Sequence, residues 1–180
     1  MNNLQTDNSY LADKIALRIN NIPKKKELNV CDAFSGKGTI WANIRKEYLG
    51  KINLVRFDKE VKSNDFVFIG DNIKFLSAID LTHFDVIDLD AYGVPYEQLK
   101  ILFNKNFKGT VFVTFIQTMM GGLPHEFLTD IGYTKDMIKK CPTLFAKNGF
   151  DKLLNWLAMN GVTKIKYRKH ARKNYIAFSL

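Results

Sequence analysis

Asp90-Ala91-Tyr92-Gly93 follows directly on the apolar run Phe84-Asp85-Val86-Ile87-Asp88-Leu89. A run of that kind reads as a buried strand, so the tetrapeptide falls at a strand's C-terminal edge. An acid, an aromatic ring and a glycine placed there make a floor for a flat substrate that carries an amino group. An exocyclic amine conjugated to its ring is a weak nucleophile, because its lone pair is delocalised. The Asp90 carboxylate and the Ala91 carbonyl can hold its hydrogens and favour the pyramidal form that attacks. Tyr92 can stack on the ring and keep the nitrogen in line, so that positioning supplies much of the rate. Asp90 and Tyr92 are the candidate catalytic residues, with Ala91 and Gly93 on the substrate side.

A second strand-to-turn signature lies upstream, Asp32-Ala33-Phe34-Ser35-Gly36-Lys37-Gly38-Thr39. Its glycines let the backbone approach a ligand closely. It is not a P-loop, because Gly38 follows Lys37, and not a dinucleotide fingerprint, because Phe34 holds the first glycine position. Two acid sites close the next two strands. Asp58 can accept both hydroxyl hydrogens of a ribose, and Asp71 with Asn72 can read the amine and ring edge of an adenine. Taken singly, Asp58 could be a solvated loop acid and Asp71-Asn72 a helix cap. Together the three sites outline a nucleoside-cofactor crevice beside a base-like substrate.

The elements that must position these residues alternate along the chain. Tyr10 to Ile22 carries Leu11, Ile15, Ile19 and Ile22 at helical spacing, with Ser9 as N-cap and Pro23 as stop. Strands are expected at Leu28–Phe34, Ile52–Phe57, Phe66–Ile69, Phe84–Leu89 and Gly109–Ile116. Helices are expected at Thr39–Tyr48, from Asn72 to Ala78, and at Tyr96–Phe103. Such alternation indicates parallel βαβ units with ligands at the carboxyl edge of the strands. Phe150, Leu153, Leu154 and Leu157 mark a further helix ended by Gly161, and Thr163–Arg168 with Tyr175–Phe178 reads as a terminal hairpin. The loop Phe115–Pro124, with Met119, Met120 and Gly121-Gly122, could cover the target pocket.

With 180 residues, 46% hydrophobic and 25% charged, the chain is expected to form one soluble domain over 1–180, its N-terminal helix at about 9–22. No membrane span or secretory signal is expected, and two cysteines, Cys31 and Cys141, suit a reducing, cytoplasmic setting and make no metal site. Twenty-seven Lys and Arg against 18 Asp and Glu give +9, which favours a polyanionic partner. Lys164, Lys166, Arg168, Lys169, Arg172 and Lys173, with Tyr167 and Tyr175 interleaved, form the densest basic region. Lys166, Arg168 and Arg172 are its candidate substrate contacts; a solvated hairpin face is the alternative.

On the turn at Asp32–Gly38 and the acids after it, the chain resembles the class I S-adenosylmethionine-dependent methyltransferases over roughly Leu28 to Phe178. The resemblance implies an α/β, Rossmann-like fold: a mostly parallel seven-stranded sheet, an antiparallel C-terminal strand at Tyr175–Leu180 and helices on both faces. It implies S-adenosyl-L-methionine as cofactor, with Asp32, Phe34, Ser35, Gly36 and Gly38 around its methionine part. Asp58 would lie at the ribose, Asp71 and Asn72 near the adenine, and Asp88 within the same set. Asp88-Leu89-Asp90-Ala91-Tyr92-Gly93 is similar to the Asp-Leu-Asp-Pro-Tyr/Phe-Gly segment of tRNA guanine-N2 dimethyltransferases, with Ala91 where those enzymes carry proline. The implied activity is methylation of an exocyclic amine of a nucleobase, in RNA (tRNA or rRNA) rather than DNA, with a partner subunit available for targeting. A DNA adenine or cytosine amino methyltransferase, a small-molecule methyltransferase, and a non-catalytic nucleic-acid-binding protein of the same fold stay open.

Overall fold

A computed structural model describes residues 10–60, 66–117, 123–141, 147–171 and 173–180. The N-cap expected of Ser9, the loop residues Met119, Met120, Gly121 and Gly122, and Arg172 lie outside them. Seven strands form one sheet: β1 (Glu27–Asp32), β2 (Lys51–Asp58), β3 (Phe68–Ile69), β4 (Val86–Leu89), β5 (Thr110–Ile116), β6 (Ile165–Lys169) and β7 (Lys173–Ser179). Their order is β3-β2-β1-β4-β5-β7-β6, parallel from β3 to β5, with β7 antiparallel to both its neighbours.

The central strands β4 and β5 are mostly apolar because both faces are covered. All four residues of β4, and Thr110 through Phe115 of β5, are buried. On one face α1 (Leu11–Ile19) and α2 (Thr39–Glu47) pack Leu17, Trp41 and Ile44 against Leu28, Val30, Val86 and Phe112. The other face carries α3 (Asn72–Ala78), α4 (Tyr96–Asn104), α5 (His125–Asp130), α6 (Lys135–Lys140) and α7 (Gly149–Met159). There Leu76, Leu99, Phe127, Ile138, Leu153 and Trp156 cover Ile87, Val111 and Val113. Edge strand β6 is open: Lys166, Tyr167, Arg168 and Lys169 are all exposed. Lysine and arginine along such an edge discourage pairing with another chain. Among the described residues, no helix is long and apolar enough to cross a membrane.

The chain runs outward from β1 through β2 to β3, then crosses back to place β4 on the other side of β1. That reversal makes the C-terminal ends of β1 and β4 the sheet's switch point, where open α/β sheets hold their ligands. The register there pairs Asp32 with Asp88.

α1 keeps part of the expected apolar face and adds cations to it. The sequence puts Leu11, Ile15, Ile19 and Ile22 on its inner face; Ile22, just past the helix, is buried and Ile15 and Ile19 pack partly buried against the core, while the residues buried within the helix are Lys14, Leu17 and Arg18. The helix is turned so that two cations reach into the sheet. Arg18 Nε and Nη2 each donate to Asp88 at 2.7 Å, with both side chains 1% exposed. Among the described residues, the three shortest helical pieces, the 3₁₀ turn Leu81–His83, α5 and α6, have no counterpart in the sequence reading; segments of three to six residues are too short for a helical period to register.

Arg18→Met should lower unfolding free energy by about 3–5 kcal/mol, because it leaves the Asp88 carboxylate buried without its counter-ion. Urea denaturation measures this, and a loss below about 1 kcal/mol would show that the pair is not a structural anchor.

Candidate functional site

The turn after β1 is built by backbone bonds to its neighbours. Ala33 N–H donates to the Asp88 carbonyl (3.0 Å), Ser35 N–H to the Phe57 carbonyl (3.0 Å), and Gly38 N–H to the Ser35 carbonyl (2.7 Å). Gly36 and Gly38 adopt φ of +50° and +74°, which L side chains rarely tolerate. A Cβ on Gly36 would meet open space, whereas one on Gly38 would run into the Arg56 guanidinium. Phe34 packs at the edge of the core. Ser35 is buried, and its Oγ has no partner among the described residues. A buried hydroxyl with no partner beside an open glycine suits a ligand that brings its own polar groups.

The three downstream candidates part ways. Asp58 accepts from Gly36 N–H at 2.7 Å and from Glu60 N–H at 3.1 Å, so its carboxylate is fixed against the glycine turn. Asp71 caps α3, accepting from Ile73 N–H at 2.8 Å. The Asn72 side chain is 5% exposed; it donates to the Ala33 carbonyl (3.1 Å) and accepts from Gln98 Nε2 (2.9 Å). As placed, Asn72 ties α3 and α4 to the root of the turn instead of presenting its amide to a cofactor.

Asp88 is likewise occupied within the fold. It is fully buried, and besides Arg18 it accepts from Trp41 Nε1 at 2.8 Å. Three donors on two oxygens make it the anchor of α1 and α2 on β4, one layer beneath the rim at which the cofactor set is expected.

Asp90 lies one step further out. Lys14 Nζ is 2.8 Å from its Oδ1 and 3.0 Å from its Oδ2, Thr114 Oγ1 of β5 donates to Oδ1, and Arg18 Nη2 is 4.0 Å away. Burial alone would raise this carboxyl's pKa. Arg18, Lys14 and the bonds from Lys14 and Thr114 outweigh burial and hold it below the usual carboxylate range. Asp32 goes the other way: burial beside Asp88 and Asp90 pushes it well above that range, against the weaker opposing pull of Arg18. Three acids, Asp32, Asp88 and Asp90, thus share a largely buried cluster with two cations, Lys14 and Arg18.

The rest of the tetrapeptide sits at the surface. Tyr92 is 60% exposed, unlike Tyr96 and Trp41, which are sealed. Gly93, at φ +130°, accepts from Ile116 N–H at 2.9 Å and so ties the segment to the end of β5. Ala91 N–H donates to the Leu89 carbonyl at 2.8 Å. A proline has no such donor, so alanine fixes this turn by a bond where proline would use its ring.

The structure therefore brings Asp32–Gly38, Asp58 and Asp90–Gly93 together on one rim. Lys166 and Arg168 stand apart, on β6, with β7 and β5 between them and β4, a separation of about 14 Å from three strand spacings. Sequence reasoning missed Lys14, Arg18, Trp41 and Thr114. One signal was available: Lys14 and Arg18 are four residues apart on a helix, which places them on one face beside apolar neighbours. Two acids, Asp88 and Asp90, interrupt an otherwise apolar strand end.

Because folding raises the Asp32 pKa, the native chain holds a proton there that the unfolded chain has already lost. This group's contribution to stability is complete below the ordinary carboxylate range and is lost as pH rises through the raised value. Asp32→Asn should remove that decline, so its stability relative to the parent should improve with rising pH across the window. Parallel pH-dependent denaturation curves would reject the coupling.

No protein-family model matches the chain, and no curated protein matches its sequence. Solved structures do. A SAM-dependent methyltransferase from Archaeoglobus fulgidus superposes with a TM-score of 0.60 at 12% identity, covering 98% of this chain and 96% of that one. Phosphoethanolamine N-methyltransferase 2 of Haemonchus contortus, in complex with S-adenosyl-L-methionine, gives 0.58 at 9% identity; it covers 93% of this chain, which spans 52% of that one. A precorrin-6y C5,15-methyltransferase from Geobacter metallireducens gives 0.54 at 9% identity, covering 93% and 87%. The fold of this chain is the Rossmann-like fold of SAM-dependent methyltransferases, seven strands with an antiparallel member near the C-terminal edge.

Proposed function

We propose that this chain is an S-adenosylmethionine-dependent methyltransferase that modifies an exocyclic amine of a nucleobase in RNA. The observation that carries this reading is the juxtaposition at the switch point. Asp32 and Asp88 are register partners, so a ligand over the Asp32–Gly38 turn lies beside Asp90 and the exposed ring of Tyr92.

The residues of the turn fit that cofactor. Its amino-acid tail carries an ammonium and a carboxylate. Asp32, protonated in the free protein, would be drawn into its ionised form by an ammonium at one side of the turn, while the N-terminus of α2, with Gly38 as a cap lacking a side chain, offers positive potential at the other. A ligand of net positive charge also balances the surplus acid of the cluster. Asp58, oriented by Gly36 N–H, is placed for ribose hydroxyls.

The bound cofactor would supply an electrophilic methyl group on a sulfonium. The protein's part is positioning. Tyr92 stacks on the base, and the Ala91 carbonyl and Asp90 accept the hydrogens of the amine. Held there, the nitrogen would face the methyl group, and the proton it sheds on methylation would leave for solvent. Asp90, held ionised by Lys14, Arg18 and Thr114, acts as an acceptor and not as the proton's destination. The +9 charge and the exposed Lys166, Tyr167 and Arg168 along β6 support a polyanionic substrate.

Purified protein incubated with methyl-labelled cofactor and total RNA or DNA should label RNA, and digestion should yield a nucleoside methylated on an exocyclic amine. Label confined to DNA or to a small molecule would remove the RNA assignment. Tyr92→Ala should lower kcat/KM by about 10- to 100-fold through loss of stacking, with cofactor affinity unchanged by calorimetry. Equal turnover would exclude Tyr92 from the target side.

A further inference from the structure

The buried ion pairs form two layers of different accessibility. The inner pair, Arg18 and Asp88, is 1% exposed on both side chains. The outer pair, Lys14 and Asp90, retains 7% and 11%. Only the outer pair keeps some exposure, and Asp90 stands two residues before Tyr92, whose ring is open. Its hydrogen-bonding capacity is not exhausted. The Lys14 ammonium carries three N–H donors, and Asp90 is the one hydrogen-bond partner it has among the described residues. Asp90 Oδ1 serves both Thr114 and Lys14, whereas Oδ2 accepts from Lys14 alone. A donor and an acceptor therefore stand 3.0 Å apart at the rim.

We propose that Lys14 is a specificity-determining residue: its ammonium donates to the ring nitrogen adjoining the target amine while Asp90 Oδ2 accepts from that amine. This rests on the nucleobase-amine reading above. Adenine presents such an edge at its 6-amine and N1, and cytosine at its 4-amine and N3. Each edge has a hydrogen donor beside a bare ring nitrogen, the complement of Oδ2 beside Nζ. The Ala91 carbonyl, to which no described residue donates, takes the second amine hydrogen. Guanine places an N1–H beside its 2-amine on the Watson–Crick edge, where Nζ would face a donor, and its bare N3 lies on the side that carries the ribose, so it could meet the pair only with the sugar brought against the site. The pair is neutral overall, which suits an uncharged base better than a lone carboxylate would. The site accordingly takes a 6-aminopurine or 4-aminopyrimidine edge.

The test replaces one ring atom of the substrate. The RNA that accepts label is transcribed with 1-deazaadenosine or 3-deazacytidine in place of the labelled base, which keeps the amine and removes the ring acceptor. The wild-type protein should lose about 10- to 100-fold in kcat/KM on the deaza RNA, the worth of one charge-assisted hydrogen bond. Lys14→Met should use the two RNAs equally, with its melting temperature and calorimetric cofactor affinity reporting that the fold is kept. If that variant does not fold, the wild-type comparison decides alone. Equal use of deaza RNA by the wild type, or label on the guanine 2-amine, overturns the role of Lys14 and leaves the methyltransferase reading standing. If no RNA is labelled at all, the reading and this inference fall together.

Discussion

A carboxylate at the centre of a sheet must be compensated, and Asp88 is compensated from two directions at once. It has no solvent exposure, and it takes two bonds from Arg18 of α1 and one from Trp41 of α2. A buried pair of this kind is weak as a source of stability, since desolvation offsets most of the attraction. It is strong as a specification of geometry, because few placements of α1 satisfy a bidentate guanidinium. That single anchor fixes how α1 lies on β4, and α1 in turn carries Lys14 to Asp90. The outer rim inherits its arrangement from the sealed layer beneath it.

The sheet was legible where pattern and burial agree. Strands β1, β2, β4 and β5 fall within a few residues of the runs that predict them, because strands covered on both faces are predominantly apolar. The Asp32–Gly38 turn was legible too, since only glycine serves the positive φ at 36 and 38. The inward cations of α1 were not. Hydrophobic periodicity assumes that charge points outward, and here Lys14 and Arg18 point inward to acids 76 and 70 residues away in sequence. No local rule reaches that far. For the same reason the polar residues at the ends of strands could not be sorted from the chain alone. Asp58, Asn72 and Asp88 look alike in sequence, yet Asp58 is held against the turn, Asn72 braces it and Asp88 is sealed below it.

Ala91 shows a comparable substitution of means. Proline at this position would constrain the backbone through φ, while alanine does so by donating to Leu89. The carbonyl between Asp90 and Tyr92 is aimed in either case, so departure from the proline-bearing pattern does not by itself loosen the segment. Gly93 then lets the chain turn under β5 by bonding Ile116, which leaves the ring of Tyr92 outward.

The electrostatics of Asp90 bear on the kind of nucleophile the rim suits. A hydroxyl or a carbon acid must lose its proton before or during attack, and that requires a base whose pKa lies near the working pH. Asp90 is held in the opposite state, ionised and below the ordinary carboxylate range by Arg18, Lys14 and Thr114. It can accept a hydrogen bond over the whole physiological range but has little affinity for the proton itself. An amine makes no demand for prior deprotonation: its nitrogen attacks neutral, becomes cationic on gaining the methyl group, and only then sheds a proton to water. A fixed negative charge nearby favours that developing cation, in proportion to how little Lys14 cancels it. The Lys14–Asp90 pair that α1 carries to the rim therefore tempers the field there, so the strength of that contact sets how much negative charge the rim presents.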